Sequence, residues 1–129
     1  MWRNMQVSPT AKKILVVDDE PIIADTIVAI LLRHGFEATA AYSGSEAIER
    51  AGEFCPDSVL SDVLMPGIDG VQTAMSLREM CPSIRVLLFS GQAAISDLLQ
   101  EARARGLRFE LLAKPIHPDE LLKILTKVE

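Results

Sequence analysis

The stretch Ser61-Asp62-Val63-Leu64-Met65-Pro66-Gly67-Ile68-Asp69-Gly70 decides the reading of this chain. An apolar run, Ser58 to Leu60, delivers Asp62 into a loop dense in turn-forming residues. Proline removes a backbone donor and glycine frees the chain, so Met65-Pro66-Gly67 and Asp69-Gly70 keep this segment out of a sheet and delay the next helix. The pattern predicts that Asp62 is held at a rim, just past the strand and facing solvent. An aspartate at a strand end is ordinarily a turn or capping residue. Here three further runs also end in reactive groups: Lys13-Ile14-Leu15-Val16-Val17 leads into Asp18-Asp19, and two others end at Ser90 and Lys114.

Outward from that loop the chain alternates between strand-like and helix-like segments. Ile14 to Val17 is continuous rather than alternating, as a strand buried on both faces requires. Pro21 suits a first helical turn, and Ile23, Ile27, Ile30 and Leu31 repeat at helical spacing up to Gly35. Phe36 to Tyr42 reads as a second strand. A short helix follows Ser43-Gly44-Ser45 and is expected to end near Gly52, with Cys55-Pro56 closing the unit because a residue before proline resists the helical conformation. Ser58 to Ser61 is the third strand. Val71, Ala74, Met75 and Leu77 mark a helix ending near Met80-Cys81-Pro82, and Ile84 to Phe89 is the fourth strand. A longer helix is expected over 94–106 from Ala94, Ile95, Leu98, Leu99 and Ala102. Phe109 to Ala113 is the fifth strand, and Leu121, Leu122, Ile124, Leu125 and Val128 make the last helix amphipathic.

Five β units alternating with five α units imply an α/β fold with a doubly wound, five-stranded parallel sheet. In such sheets ligands sit beyond the carboxyl ends of the strands, where the strand order reverses. The order 2-1-3-4-5 sets strand 3 between strands 1 and 4, so Asp62 lies beside Asp18 and Asp19, with Ser90 and Lys114 approaching from the other side. Three neighbouring carboxylates repel unless a cation neutralises them, and Lys114 supplies a single charge. A hard divalent ion such as Mg²⁺, which takes one or two carboxylates and completes its shell with water and phosphate oxygens, suits the set. With a lysine and a hydroxyl beside it, Asp62 is then placed as a nucleophile toward a phosphoryl group. A structural acid cluster facing water is the plainer alternative.

The 129 residues, 49% of them hydrophobic, suffice for one domain with its own core. A formal net charge of -5 lacks the concentrated basic patch of a nucleic-acid surface, so no direct nucleic-acid binding is expected. Cys55 and Cys81 each precede a proline and stand in no metal-ligand or CxxC spacing; they read as reduced cytosolic thiols. The first residues lack the apolar core of a signal peptide, and no run approaches a membrane span. These features predict a cytoplasmic protein without membrane association, with a flexible extension over 1–11 and one domain over 12–129. His34 reads as a helix C-terminal residue, His117 as a loop residue and Glu20 as a negative charge favoured at a helix start. Arg103, Arg105 and Arg108 complement the end of the fourth helix, or help to dock a partner.

Ile14-Leu15-Val16-Val17-Asp18-Asp19-Glu20, Asp62-Val63-Leu64-Met65-Pro66-Gly67-Ile68-Asp69-Gly70, Phe89-Ser90-Gly91 and Leu112-Ala113-Lys114-Pro115 together resemble the receiver domain of two-component response regulators. The resemblance covers roughly residues 12 to 129 and implies the CheY-like, flavodoxin-like fold. It implies that Asp62 is the phosphoacceptor, charged from a phosphohistidine of a sensor histidine kinase or phosphotransfer protein. It further implies that Asp19, Asp62 and the Leu64 backbone carbonyl bind Mg²⁺, that Asp18 acts through a coordinated water, and that Ser90 and Lys114 hold the phosphoryl group. The Lys114-Pro115 bond is often cis in such domains. Such a module is a signalling phosphoacceptor rather than an enzyme, although it assists its own phosphotransfer and autodephosphorylation. A downstream protein, or a second copy in a homodimer, would engage the face made by the fourth helix, the fifth strand and the last helix.

Two positions depart from the family pattern. Leu111 stands where an aromatic residue usually lies three positions before the lysine, with Phe109 two residues earlier on the same side of the strand. The loop carrying Ser90 and Gly91 is then the expected reporter of switching. Leu64 replaces the polar residue often found two positions after the phosphoacceptor. An interaction platform with little or no phosphorylation is one alternative function. A Mg²⁺-dependent aspartyl-nucleophile phosphatase is another, disfavoured because its usual second aspartate is Leu64 here. The chain stops just after the last helix, which fits either a stand-alone regulator or a portion of a longer polypeptide.

Overall fold

The leucine- and valine-rich runs are the strands of one parallel sheet. In a computed structural model, residues 12–91, 97, 100–101, 103–106 and 108–126 are described. The elements are β1 (Lys13–Val17), α1 (Pro21–Arg33), β2 (Glu37–Ala41), α2 (Gly44–Phe54), β3 (Ser58–Asp62), α3 (Gly70–Met80), β4 (Arg85–Ser90), β5 (Glu110–Ala113) and α4 (Pro118–Thr126). Asp97, Gln100, Glu101, Arg103 and Ala104 are also helical. The residues that define the apolar face expected over 94–106, and the extension 1–11, lie outside the described residues.

The strand order is β2-β1-β3-β4-β5, as expected. Period-2 alternation divides the side chains between two cores. Leu15, Val17, Val59, Val86 and Leu88 pack under α2 and α3 with Ala47, Ala51, Val71, Ala74 and Leu77. Ile14, Val16, Leu60, Leu87, Phe89 and Leu112 pack under α1 and α4 with Ala24, Ile27, Leu31, Leu121 and Leu125. Both faces are thereby covered, which explains why the middle residues of β1, β3 and β4 are apolar on both faces.

Helix starts follow local chemistry. Pro21 begins α1, where its missing N–H costs nothing. Ser43 caps α2 by accepting the Glu46 N–H at 3.0 Å, and the Glu46 carboxylate accepts the Tyr42 N–H at 2.7 Å. Asp69 opens α3 with a capping box: its carboxylate accepts the Gln72 N–H, and the Gln72 side chain accepts the Asp69 N–H.

Several boundaries differ from expectation. Asp62 is the last residue of β3, paired with Phe89, because the ladder continues one step further through the Val63 N–H to the Phe89 carbonyl at 3.1 Å. It is 5% exposed, not solvent-facing at a rim, because it belongs to a central strand and lies under the Lys114 side chain. Helix α2 runs through Gly52 to Phe54; the helical ladder continues until Cys55, whose N–H still reaches the Ala51 carbonyl while its own backbone turns left-handed at φ 49°. Strand β2 loses one residue at each end, β4 shifts by one and β5 loses its first, since Phe36, Ile84 and Phe109 enter the core from outside the ladder.

Candidate functional site: an acidic pocket at the carboxyl end of the sheet

Alternation carries the site residues. Extending the Ile14, Val16 series by two reaches Asp18, Leu60 leads to Asp62, and Leu112 leads to Lys114, so all three continue the face covered by α1 and α4. Asp18 is fully buried, Asp62 nearly so, and Asp19 is exposed. One carboxylate oxygen from each of Asp18, Asp19 and Asp62 lies within 4.8 Å of the others.

The Lys114 ammonium sits 3.1 Å from Asp62 Oδ2 and 5.3 Å from the centre of the Phe89 ring. Phe89 thus supports the lysine from below, a role that the sequence reading missed. Its signal was the register: Phe89 pairs with both Asp62 and Leu112, the residue two before Lys114. The Lys114 N–H donates to the Ser90 carbonyl at 3.1 Å, and the Lys114-Pro115 bond is cis, as the resemblance anticipated. Ser90 is buried at the end of β4 and its hydroxyl donates to the Gly91 carbonyl at 3.2 Å. It belongs to the other alternation series, that of Leu88, beside the half-buried Leu111 and Phe109, which both pack on the α2–α3 core.

Burial pushes the Asp18 carboxyl above its ordinary value, and Asp62 and Asp19 add to this; the Glu20 backbone N–H and Lys114 act in the opposite direction. Asp18 Oδ1 accepts the Glu20 N–H at 2.9 Å, whereas the buried Oδ2 has no hydrogen-bond partner. A buried acceptor left over inside a cluster of three carboxylates is the environment that a hard divalent cation satisfies. These residues therefore fit Mg²⁺.

The loop after Asp62 is fixed by close packing. The Gly70 N–H donates to the Val63 carbonyl at 2.8 Å, and a Cβ at Gly70 would collide with the Asp62 carbonyl oxygen and with Val63 Cα. Gly44 sits equally close to the buried Thr73 hydroxyl, which donates to the Asp69 carbonyl at 2.8 Å. Within this held loop Met65 is buried and Leu64 is 64% exposed. On the α1–α4 side, an apolar groove of about 550 Å³ opens beside Lys114, lined by Ile22, Ile23, Ile27, Pro115 and Ile116 among others. Tyr42 bonds Asp25 at 2.6 Å, tying the end of β2 to α1.

Other residues singled out in the sequence make local contacts. His34 caps α1, with Nδ1 2.9 Å from the Ile30 carbonyl, and Glu20 precedes α1 without a side-chain cap bond. Arg105 pairs with Glu101, and the Arg108 carbonyl accepts from Arg78.

This is an α/β domain with a cation-suited acid pocket at the topological switch point of its sheet. The chain belongs to the response regulator receiver domain family, whose model matches residues 14–126. It is 30% identical over 118 residues to the chemotaxis protein CheY of Bacillus subtilis, covering 91% of this chain and 97% of that protein. It is 34% identical over 109 residues to the probable transcriptional regulatory protein TcrX of Mycobacterium tuberculosis, covering 84% of this chain. The chain spans 46% of TcrX and 50% of the transcriptional regulatory protein PrrA of Mycobacterium bovis, about half of each. The solved chemotaxis protein CheY4 of Vibrio cholerae superposes with a TM-score of 0.83 at 30% identity, covering 93% of this chain and all of that one. Receiver domains are signalling modules of two-component systems, and among the described residues no helix is long and apolar enough to cross a membrane.

Proposed function

We propose that this domain, extending over 12–129, accepts a phosphoryl group on Asp62 from a phosphohistidine of a sensor histidine kinase or phosphotransfer protein, and that it works in the cytoplasm. The observation that carries this reading is the Lys114 ammonium, 3.1 Å from a nearly buried Asp62 carboxylate inside a three-carboxylate cluster. Asp62 Oδ attacks phosphorus, the donor's N–P bond breaks, and the imidazole leaves. Lys114 pairs with the incoming phosphoryl oxygens, and the Ser90 hydroxyl turns from the Gly91 carbonyl to donate to one of them. Asp19, Asp62 and the Leu64 carbonyl would hold Mg²⁺, with Asp18 acting through a coordinated water. The ion supplies charge neutralisation that lets a phosphoryl group enter among carboxylates. The groove beside Lys114 favours delivery by a protein surface as well as by a small molecule.

The readout is a change of surface. Movement of Ser90 pulls on the β4 end and on the adjacent Leu111 and Phe109, so the face around β5 and α4 is where a downstream protein or a second copy would sense the state. Intact mass after incubation with acetyl phosphate tests the proposal. The expected result is a Mg²⁺-dependent gain of one phosphoryl group that Asp62→Asn abolishes. No gain in the wild type would favour an interaction platform that is not phosphorylated.

A further inference from the structure

Cys55 and Cys81 lie at the end of the sheet opposite Asp62, where the chain turns into neighbouring strands. Each is the residue that ends its helix: the Cys55 N–H donates to the Ala51 carbonyl at 3.0 Å and the Cys81 N–H to the Leu77 carbonyl at 2.8 Å. Ala51 and Leu77 belong to one core cluster, and Cys81 packs on it. A Cβ at Gly52, one turn before Cys55, would stand 3.9 Å from the methyl of Met80, the residue before Cys81. The two following segments are laced together as well. The Arg85 N–H donates to the Asp57 carbonyl at 3.0 Å, and the Ile84 N–H to the Cys81 carbonyl at 2.9 Å. Two thiols separated by β3, the Asp62 loop and α3 are thereby brought to one corner.

Cys55 is exposed and Cys81 is partly buried, and both are free. Cys55 also holds a left-handed backbone, φ 49°, where glycine or asparagine would be expected. A side chain kept at a position that disfavours it is a reason to look for a role. Burial pushes the Cys81 thiol up, and the nearby Cys55 adds to this, so Cys81 is the less reactive partner and the exposed Cys55 meets oxidants first.

We propose that Cys55 and Cys81 form a peroxide-responsive dithiol that closes to an intramolecular disulfide across the ends of α2 and α3. Hydrogen peroxide oxidises the Cys55 thiol to a sulfenic acid, releasing one water. The Cys81 sulfur then attacks the Cys55 sulfur; the S–S bond forms, the S–O bond breaks, and the hydroxide leaves as water with the Cys81 proton. In sum two thiols lose two electrons and two protons, and one peroxide is reduced to two waters. The covalent loop encloses β3, Asp62 and α3, so closing it removes freedom from the unfolded chain and raises Tm. Because the thiols sit at the far end of the sheet, the reaction needs neither Mg²⁺ nor phosphorylation.

The test is peroxide titration of the purified wild type, of Cys55→Gly and of Cys81→Ser, followed by intact mass and peptide mapping without reductant. Cys55→Gly suits the left-handed backbone and so removes the thiol while keeping the fold. The proposal expects the wild type to lose two hydrogens as a monomer, to yield one cross-linked peptide joining Cys55 to Cys81, and to return to its starting mass with dithiothreitol. It expects Cys81→Ser to accumulate sulfinic or sulfonic oxidation products at Cys55, and Cys55→Gly, which keeps only the partly buried thiol, to resist oxidation at the same peroxide concentration. Oxygen addition at Cys55 in the wild type without the cross-link, or a disulfide-linked dimer as the main product, would overturn it.

Discussion

At Asp18 burial and function pull against each other. Its Oδ2 atom is buried without a partner, and folding raises its pKa above the ordinary 3.8. Just above pH 3.8 the folded state therefore holds more of this proton than the unfolded chain does. The stability carried by that proton is complete below about 3.8 and is lost as pH climbs through the raised folded-state value. In metal-free protein, Asp18→Asn should raise Tm at neutral pH, and its advantage over the wild type should shrink as pH falls toward 3.8. Thermal melts across that acid range check this; an advantage that grows on acidification would contradict it. Leu64 sits exposed just past the end of β3, and on the proposed reading its apolar side chain would hinder water attacking a phosphorylated Asp62. Leu64→Asn should shorten the lifetime of the phosphorylated domain several-fold, and an unchanged dephosphorylation rate would refute the role given to this side chain. The gathering of Asp18, Asp19, Asp62 and Lys114 was legible in the sequence because each ends or follows an apolar run. The burial of Asp62 was not, since turn residues mark where a strand must stop but not how far neighbouring side chains cover its end.

Elements were legible where chemistry punctuates them and less so where a ladder simply persists. Pro21, Ser43 and Asp69 announced helix starts because capping is local. Gly52 misled, because one glycine costs a helix only about 1 kcal/mol and packing against the core outweighs that. The two glycines Gly52 and Gly70 consequently predict opposite outcomes. Gly52→Ala meets only ordinary contact and should stabilise the domain by about 0.5–1 kcal/mol. Gly70→Ala forces a Cβ onto the Asp62 carbonyl and should destabilise the domain by about 1–3 kcal/mol while disturbing the loop after Asp62. Urea unfolding of the pair separates the two, and equal effects would mean that the close approach at Gly70 is relieved cheaply.

For the whole molecule, one topological rule gathered the site from four distant segments. The rhythm of five strands implied a doubly wound sheet, and its common order 2-1-3-4-5, as observed, brings Asp62 between Asp18 and the β4–β5 side. The proximity of Cys55 to Cys81, by contrast, depends on how α2 packs against α3 and leaves no mark in residue spacing. On the proposed reading a cation would bind the gathered carboxylates more tightly than it binds the unfolded chain. Mg²⁺ at ten times its dissociation constant should then add about 1.4 kcal/mol to the stability of the wild type. Asp19→Asn, an exposed change, should lose most of that gain; denaturant midpoints with and without Mg²⁺ measure it. The central claim, that Asp62 receives the phosphoryl group, is tested most directly by borohydride trapping. Reduction of an aspartyl phosphate converts the residue to homoserine. After treatment with acetyl phosphate and Mg²⁺, peptide sequencing should find homoserine at position 62; homoserine at another carboxylate, or none in a domain shown to bind Mg²⁺, would contradict it.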